Sequence, residues 1–217
     1  MNSKSDKPSI AIFFPVYRDE ATVETVAKKS LKVLSDIASR YQVIIVDDGS
    51  PDKSGEIADK LAGEYPDKIL SVRHEKNLGY GAALQTGFKY SLDYEWICFT
   101  DGDNQYDVNE LYHISKLLHH YDLIVTFRYS KIYGTLRIFI SYIYNLIIRW
   151  LFKSKLKDHN CGLKIIRSSV IKDMELISNS AFIGAEIIIK ATVKGYPIGE
   201  VGIKTYPRTF RESSYMS

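Results

Sequence analysis

Two carboxylates separated by one glycine are the side chains of this chain that are best placed to do chemistry. Asp101 and Asp103 follow residues 96–100, a short apolar run of residues that favour β-strands. In open α/β sheets, ligands bind at the carboxyl ends of the strands. With the amide oxygen of Gln105, these acids offer the oxygen ligands that Mg²⁺ or Mn²⁺ prefers, and such an ion completes its shell with substrate phosphates. The pattern indicates metal-dependent chemistry on a nucleotide diphosphate, with a solvated acidic turn as the alternative.

A second polar turn, which contains Asp48, follows the apolar residues 43–46. An acid at the end of such a strand commonly binds ribose hydroxyls or the edge of a base. Ser50 or Asp52 would instead cap the next helix, and both roles are compatible if Asp48 binds and Asp52 caps. The glycine-rich residues 77–81 open another helix, where the backbone amides either face an anion or simply form a turn.

Two further acids have unusual surroundings. Glu186 lies in the apolar residues 185–189 of a predicted helix, where a buried carboxylate should be paired or functional. A structural salt bridge is therefore the alternative to a catalytic role. Asp158 opens a polar turn before the predicted strand at residues 163–166. If a hydroxyl group had to be activated, Glu186 or Asp158 would be the candidate general base.

Residues 137–152 combine a narrow polar stripe with an otherwise apolar surface. Arg137, Ser141, Asn145 and Arg149 recur every four residues, so a helix would bring them onto one side. The segment is too short and too charged to cross a bilayer. It is typical of a helix at a membrane surface, with Tyr and Trp at the level of the headgroups and arginines that can face a phosphate. A core helix with paired arginines and a dimer interface are the alternatives.

Length and composition bound the class of protein. A chain of 217 residues with 45% hydrophobic and 25% charged residues fits one globular α/β domain. A net charge of +3 without a dense basic block argues against a nucleic-acid partner. Cys98 and Cys161 indicate no disulfide framework, the histidines show no metal spacing, and a reducing cytosol is expected. Residues 1–8 are polar, and we expect them to be disordered rather than a signal peptide.

Apolar strands alternate with amphipathic helices along the chain. Strand-like runs occur at residues 10–14, 43–46, 69–72, 96–100 and 163–166, and helical patterns at 21–40, 54–65, 81–92 and 137–152. This alternation predicts an α/β fold with a mostly parallel sheet, helices on both faces and a Rossmann-like N-terminal half. Pro15 should end the first strand, and no G-x-G-x-x-G follows it, so a dinucleotide is not expected.

Six short segments occur in a fixed order between about residues 9 and 214. They are Pro15-Val16-Tyr17, Val46-Asp47-Asp48-Gly49-Ser50, Asn77-x-Gly79-x-Gly81, Asp101-Gly102-Asp103-x-Gln105, Asn160-Cys161-Gly162-x-Lys164 and Glu186. In this order they resemble the inverting glycosyltransferases of family 2, and among these the polyprenyl-phosphate sugar synthases such as dolichyl-phosphate mannose synthase. The resemblance implies one GT-A catalytic domain over residues 1–217, a nucleotide-sugar donor of the UDP-glucose or GDP-mannose type, and Mg²⁺ or Mn²⁺.

The resemblance also assigns roles to individual positions. Those implied to hold the nucleotide are Pro15, Tyr17, Asp19 and Asp48. Those implied to hold the metal and the donor diphosphate are Asp101, Gly102, Asp103 and Gln105. Arg128 is implied to lie near the donor and acceptor phosphates, and the further positions for the acceptor phosphate are Arg137, Ser141, Arg208 and Ser213. The last two belong to residues 205–217, which we expect to form a mobile loop or tail.

Some positions differ from the pattern of the family. Arg18 and Asp19 stand where Asn and Glu are usual. In the late segment, Arg211 replaces a glycine, and Ser214 stands where lysine is common.

Together these observations predict an inverting glycosyltransferase that uses a polyprenyl phosphate acceptor. It would be a peripheral protein at the cytoplasmic face of a membrane, which it contacts through residues 136–152. One alternative is a family 2 glycosyltransferase that acts on a glycan or another hydroxyl acceptor. The other is a non-catalytic protein that binds nucleotide sugars and whose hydrophobic helix forms the interface of a homo-oligomer.

Overall fold

The computed structural model describes residues 7–129, 135–152 and 154–207, and within this range the side chains of residues 135–140 are left aside. The strands, in chain order, are β1 (Ser9–Val16), β2 (Arg40–Asp47), β3 (Ile69–Arg73), β4 (Trp96–Phe99), β5 (Leu123–Arg128), β6 (Lys164–Arg167) and β7 (Ile198–Ile203). The α-helices are α1 (Val23–Ile37), α2 (Ser54–Glu64), α3 (Tyr80–Ser91), α4 (Leu111–Ile114), α5 (Thr135–Phe152), α6 (Ser168–Lys172) and α7 (Ile183–Val193).

The strands form one mixed sheet in the order β3-β2-β1-β4-β6-β5-β7. The first four strands are parallel to one another. β6 runs antiparallel to both of its neighbours, β4 and β5, whereas β5 and β7 are parallel. This arrangement confirms the prediction of an α/β fold with a mostly parallel sheet. It also brings the ends of β1, β2 and β4 to the same edge, where ligands of such sheets bind.

Strand β1 shows how both faces of the sheet are buried. Ile10, Ile12 and Phe14 pack in a cluster with side chains of α1 and α2, whereas Ala11 and Phe13 pack with side chains of α3 and α7. Because successive side chains of a strand point to opposite faces, a strand that is apolar at every position needs helices on both sides. The predicted helices on both faces are therefore confirmed.

Two element boundaries differ from the sequence-based predictions. β1 continues to Val16 instead of ending at Pro15, because its pairing with β2 extends past the end of its pairing with β4 at Phe13. The helix predicted at residues 21–40 ends at Ile37, since Arg40 already pairs with β1 as the first residue of β2.

Strands β5 and β7 are absent from the strands predicted above. The residues of β5, Leu-Ile-Val-Thr-Phe-Arg, carry a clear strand signal. Those of β7, Ile-Gly-Glu-Val-Gly-Ile, include residue types that are depleted in strands. β7 is a strand because it pairs with β5 along its whole length, from Ile198 to Ile203. Tertiary pairing thus overrides a weak local preference.

Cys98 and Cys161 are both buried free thiols. Within the residues that the structure describes, none of the helices has the length and apolar character needed to cross a bilayer.

Candidate active site

The acidic turn, defined as residues 101–103, lies beyond the end of β4 and packs against the end of β1. The hydroxyl group of Thr22 donates to the carbonyl oxygen of Gly102 at 2.7 Å. A Cβ on Gly102 would lie 2.8 Å from the carbonyl oxygen of Pro15, closer than real Cβ atoms come. Only glycine therefore allows the two backbones to approach this closely, and the approach sets the positions of both flanking acids.

The two carboxylates of the acidic turn are oriented by different groups. Asp103 is only 5% exposed and accepts a hydrogen bond from the backbone N–H of Gln105 at 3.0 Å. Asp101 is half-buried and accepts a hydrogen bond from the hydroxyl group of Tyr80 at 2.9 Å. Asn104, which follows, adopts a left-handed φ of 58°, a conformation that asparagine tolerates better than most residues. Local backbone thus orients Asp103, and a side chain from α3 orients Asp101.

Gly162 brings the loop before β6 into the same site. A Cβ at this position would lie 2.4 Å from Oδ2 of Asp101 and 2.6 Å from Cε2 of Tyr106. A larger residue would therefore displace the Asp101 carboxylate or the buried ring of Tyr106. The fourth and fifth segments of the sequence pattern, which lie far apart in the chain, meet at this contact.

Asp48 is buried and surrounded by hydrogen-bond donors. Its Oδ1 atom accepts the backbone N–H of Leu78 at 2.9 Å and lies 2.7 Å from Nδ1 of His74, and its Oδ2 atom accepts the N–H of Gly79 at 2.9 Å. The other ring nitrogen of His74 lies 2.9 Å from the hydroxyl group of Thr86 on α3. Asp48 therefore fixes the loop that leads into α3, in addition to any role in nucleotide binding.

The segment after β1 folds back on itself and onto the start of α2. The carboxylate of Asp19 accepts the backbone N–H of Tyr17 at 3.2 Å, and the N–H of Asp19 donates to the hydroxyl group of Ser54 at 2.9 Å. Arg18 has a left-handed φ of 61° at the position where the family pattern has Asn, which adopts this conformation more readily. Asp52 accepts the N–H of Ser54, the first residue of α2, at 3.1 Å, although Lys53 rather than Asp52 occupies the N-cap position.

Arg128 and Asp158 form an ion pair that is buried from solvent. Nε and Nη2 of Arg128 lie 2.8 Å and 2.7 Å from Oδ2 of Asp158, and the two side chains are 8% and 3% exposed. The other carboxylate oxygen accepts the N–H of Asn160 at 3.1 Å. The pair joins β5 to the loop before β6, so two predicted site residues are brought into direct contact.

Glu186 is the anchor of the loop that precedes α7. Its oxygens accept the backbone N–H groups of Ile177 at 3.0 Å and Ser178 at 2.9 Å, and Lys190 lies 2.7 Å away. Burial raises the pKa of Glu186, but the hydrogen bonds from Lys190, Ile177 and Ser178 outweigh it and leave the pKa below its ordinary value. The ion pair with Lys190 is the salt bridge that the structural alternative anticipates.

Within residues 141–152 of α5, Asn145 of the polar stripe faces the protein, whereas most of the apolar side chains face outward. Asn145 is buried, and its Oδ1 atom accepts the backbone N–H of His159 at 2.9 Å and lies 2.8 Å from Nδ1 of the same residue. Trp150 on the outer side is 79% exposed. In the part of α5 whose side chains are described, the other exposed apolar residues are Tyr142, Ile143, Leu146, Ile147 and Leu151.

Three of the positions predicted for the acceptor phosphate lie outside the described side chains. The side chain of Arg137 lies outside the described part of the structure, as do Arg208 and Ser213. The expected mobile tail at residues 205–217 is described only as far as residue 207, where Thr205 forms a bridge with Tyr106 and the N–H of Tyr206 donates to the carbonyl oxygen of Gln105 at 3.0 Å. Most of residues 1–8 likewise lies outside the description.

Sequence reasoning left some contacts of the site unassigned. Tyr80 has ordinary sequence surroundings, and no local signal marks it, whereas Asn145 was noted only as a member of the polar stripe. Lys164 is different, because a lysine within the apolar strand β6 is itself a signal of a buried charge. Its ammonium group is buried, donates to the carbonyl oxygen of Cys161 and lies 5.2 Å from the ring centroid of Phe99, and burial lowers its pKa.

The acidic turn provides the ligand types for a divalent cation. In residues 7–129, 135–152 and 154–207, no group of three or more His, Cys, Asp or Glu side chains is arranged to hold a metal ion. Asp101 and Asp103 supply two carboxylates, and Mg²⁺ is commonly held by one or two carboxylates together with substrate phosphates. The residues present therefore fit an ion that binds with a diphosphate ligand.

Solved structures with the same architecture define the class of fold. Glucosyl-3-phosphoglycerate synthase from Mycobacterium tuberculosis, in complex with Mn²⁺, UDP and glucosyl-3-phosphoglycerate, aligns with a TM-score of 0.71 at 16% identity, over 96% of this chain and 75% of that chain. A complex of the same enzyme with Mg²⁺ and UDP aligns with a TM-score of 0.69 at 17% identity, over 96% of this chain and 74% of that chain. These alignments confirm the predicted GT-A fold.

The family follows from the sequence. The model of glycosyl transferase family 2 matches residues 11–182, so the chain belongs to this family, as the resemblance predicted. It is 26% identical over 210 residues to undecaprenyl-phosphate 4-deoxy-4-formamido-L-arabinose transferase of Edwardsiella ictaluri, over 95% of this chain and 62% of the relative. It is 29% identical over 210 residues to dodecaprenyl-phosphate galacturonate synthase of Rhizobium johnstonii, over 95% of this chain and 61% of the relative. The chain thus spans about three fifths of the length of these relatives.

Proposed function

We propose that this domain transfers a sugar from a nucleotide-sugar donor, of the UDP-glucose or GDP-mannose type, to a polyprenyl or dolichyl phosphate. The reaction would take place at the cytoplasmic face of a membrane, with inversion at the anomeric carbon. The observation that carries the proposal is a continuous series of contacts between the acidic turn and α5, the helix with an outward apolar side. The names of the relatives, which act on undecaprenyl and dodecaprenyl phosphate, support the same class of acceptor.

The series of contacts runs through the loop before β6. Asp101 lies against Gly162, Asp158 in the same loop pairs with Arg128, and the next residue, His159, is bound by Asn145 of α5. Within the described residues, this loop and Arg128 therefore connect α5 to the place where a donor diphosphate would bind at the acidic turn. This arrangement suits an acceptor whose phosphate enters the site while its lipid chain stays beside α5.

A divalent ion is the cofactor that the acidic turn fits. Asp103, supported by Asp101 and Gln105, would hold Mg²⁺ or Mn²⁺, which would neutralise charge on the leaving nucleoside diphosphate. The crystal structures of the synthase with Mn²⁺ or Mg²⁺ and UDP support this assignment. The nucleotide would be held by Pro15, Tyr17, Asp19 and Asp48, and Gly102 would let the acidic turn pack close enough to β1 to present its acids to the diphosphate.

The acceptor phosphate would be oriented by Arg128 and Ser141, together with Arg137, Arg208 and Ser213 of the undescribed positions. A phosphate oxygen would attack the anomeric carbon as the bond from that carbon to the diphosphate breaks on the opposite face. A phosphate monoester is already anionic near neutral pH, with a second pKa of about 6. No strong general base is then needed, and catalysis consists mainly of positioning and stabilisation of the leaving group.

An acceptor with a hydroxyl group is the second candidate, and it would need a general base. Glu186 and Asp158 were the candidates from sequence. Both carboxylates are occupied, Glu186 by two backbone N–H groups and Lys190, and Asp158 by Arg128 and Asn160. These contacts favour the phosphate acceptor, and they suggest structural roles for both acids.

The outer side of α5 is the proposed membrane contact. Replacing Leu146 and Trp150 by serine should lower the affinity for liposomes that contain anionic lipid and polyprenyl phosphate by at least about tenfold, because two large apolar side chains no longer enter the bilayer. Sedimentation of the protein with the liposomes measures this affinity. Val193→Ser, an exposed apolar position on α7, is the matched control and should bind like the unchanged protein. If the double variant instead turned a dimer into a monomer by light scattering, α5 would be a homo-oligomer interface.

Release of nucleoside diphosphate tests the activity directly. The protein would be incubated with Mg²⁺ or Mn²⁺, undecaprenyl or dolichyl phosphate, and a panel of nucleotide sugars. Release that depends on the lipid phosphate would establish the synthase and identify the sugar. Donor binding without such release would favour a hydroxyl acceptor, and donor binding without any transfer to a panel of hydroxyl acceptors would favour a non-catalytic binding protein.

A further inference from the structure

Tyr80 is not among the predicted site residues, but its side chain contacts one of them. It is the first residue of α3, and its hydroxyl group lies 2.9 Å from Oδ1 of Asp101. A half-buried phenol that donates to a carboxylate fixes both the rotation of that carboxylate and the direction of its other lone pairs. Asp101 is one of the two acids that the proposed function assigns to the metal, so its orientation matters there.

The backbone on the N-terminal side of Tyr80 is held by Asp48. The two carboxylate oxygens of Asp48 accept the N–H groups of Leu78 and Gly79, each at 2.9 Å. Gly79 has a φ of 95°, which favours glycine and sets the direction in which the chain enters α3. Through its contacts with Asp48 and with Thr86, His74 ties the same helix to the end of β2.

The backbone on the other side of Tyr80 is held by the loop that Glu186 anchors. A Cβ on Gly81 would lie 2.2 Å from the carbonyl carbon of Asn179 and 2.5 Å from the nitrogen of Ser180, so this loop rests directly on the start of α3. Glu186 fixes the loop through the N–H groups of Ile177 and Ser178. Two of the acids singled out from sequence thus immobilise the backbone on both sides of one tyrosine.

We infer that Tyr80 is a positioning residue that presents Asp101 to a divalent cation, and that Asp48 and Glu186 act on the same carboxylate indirectly by fixing Tyr80. This inference rests on the proposed function, because it takes Asp101 to be a metal ligand. Groups that orient a ligating carboxylate typically change metal affinity or activity by about 10- to 100-fold when removed. Tyr80 itself does not touch the donor in this assignment.

The test is the affinity for Mn²⁺, measured by electron paramagnetic resonance with Mn²⁺ alone and with Mn²⁺ plus UDP or GDP. Tyr80→Phe keeps the ring and removes only the hydroxyl group. We expect its Mn²⁺ dissociation constant to rise roughly tenfold, with an unchanged melting temperature and, at saturating Mn²⁺, an unchanged KM for the donor. Tyr90→Phe, on the exposed side of α3, is the matched control and should bind Mn²⁺ like the unchanged protein.

A double-mutant cycle separates action through Asp101 from a general effect on folding. In an Asp101→Asn background, Tyr80→Phe should change the Mn²⁺ constant by less than about twofold, because the two residues act as one unit. An unchanged Mn²⁺ dissociation constant in the Tyr80→Phe variant would overturn the inference. A raised KM for the donor with normal Mn²⁺ binding would also overturn it, because that result would place Tyr80 in contact with the donor. If the unchanged protein bound no Mn²⁺ even with UDP or GDP, the metal role in the proposed function would fail, and the inference with it.

Discussion

The two sides of the candidate active site are held together by different kinds of contact. On the proposed donor side, defined as Asp48 and the acidic turn, Asp48 and Asp103 accept backbone N–H groups, and Asp101 accepts the hydroxyl group of Tyr80. On the acceptor side, defined as Arg128, Asp158 and the inner side of α5, side chains bind one another across different elements. Asp48 and Asp103 on the donor side are therefore held mainly by backbone groups, whereas the proposed acceptor side depends mainly on paired side chains from distant elements.

This difference has a consequence for mutations. A backbone N–H remains in place when a neighbouring side chain changes, so a variant on the donor side should alter chemistry more than stability. A paired side chain that loses its partner is left as a buried charge or an unsatisfied polar group. Variants on the acceptor side should therefore alter stability first.

Asp103→Asn is the sharpest variant on the donor side. Its amide oxygen can still accept the N–H of Gln105, but it no longer offers a negative charge to a cation. We expect turnover to fall on the order of a thousandfold, or about 4 kcal/mol, with little change in stability. Release of nucleoside diphosphate measures the effect, and Asp107→Asn in the next turn, where Asp107 accepts the N–H of Asn109, is the control. Wild-type turnover in Asp103→Asn would remove this residue from the chemistry.

Arg128→Met tests the acceptor side, because it leaves Asp158 as an unpaired buried carboxylate. We expect the free energy of unfolding to fall by about 4 kcal/mol. Lys194→Met is the comparison, because Lys194 and its partner Asp173 are 42% and 49% exposed, so a much smaller loss is expected there. Urea unfolding measures both, and equal losses would contradict the idea that burial of Asp158 makes its pairing with Arg128 important for stability.

The pH dependence of stability tests the contact between α5 and the loop. Burial lowers the pKa of His159 from 6.5 to about 4. Between these values the unfolded chain binds a proton that the folded chain does not, so stability is complete above pH 6.5, falls as the pH drops towards 4 and levels off below it. The titration of His159 alone should lower the free energy of unfolding by about 3 kcal/mol.

Unfolding in urea at pH 7 and pH 5 measures the slope of the free energy of unfolding against pH. His159→Gln should reduce it, because glutamine does not titrate, while its amide can still donate to Asn145. The same slope in His159→Gln as in the unchanged protein would show that other groups cause the acid sensitivity.

Glu186→Gln should have the smallest effect. One of the two backbone N–H groups keeps an oxygen acceptor and the ion pair with Lys190 is lost, so we expect a loss of about 1 kcal/mol in stability. Turnover should fall by no more than about tenfold, through the position of Tyr80 and Asp101. Complete loss of turnover in a stably folded Glu186→Gln would instead identify this acid as the general base.

Much of the donor side could be predicted from sequence. Apolar runs followed by Asp48 and by Asp101-Gly102-Asp103 place acids at strand ends, and a parallel sheet brings those ends to one edge. The order of the six segments indicated the family that the comparison confirmed. The acceptor side was harder to predict from sequence, because β5 and β7 are not among the predicted strands. The residues of β5 carry a strand signal, whereas those of β7 have almost no strand preference without the partner strand.

The sequence alone determined the class of fold, the acidic turn and the amphipathic pattern of α5, because these depend on residues a few positions apart. Tertiary structure alone decided that Asn145 of the polar stripe of α5 contacts His159, that Arg128 is paired with Asp158, and that Tyr80 binds Asp101. The physical reason is that these contacts join residues from separate elements. Their distances depend on how the sheet and the helices pack, and no local spacing encodes that packing.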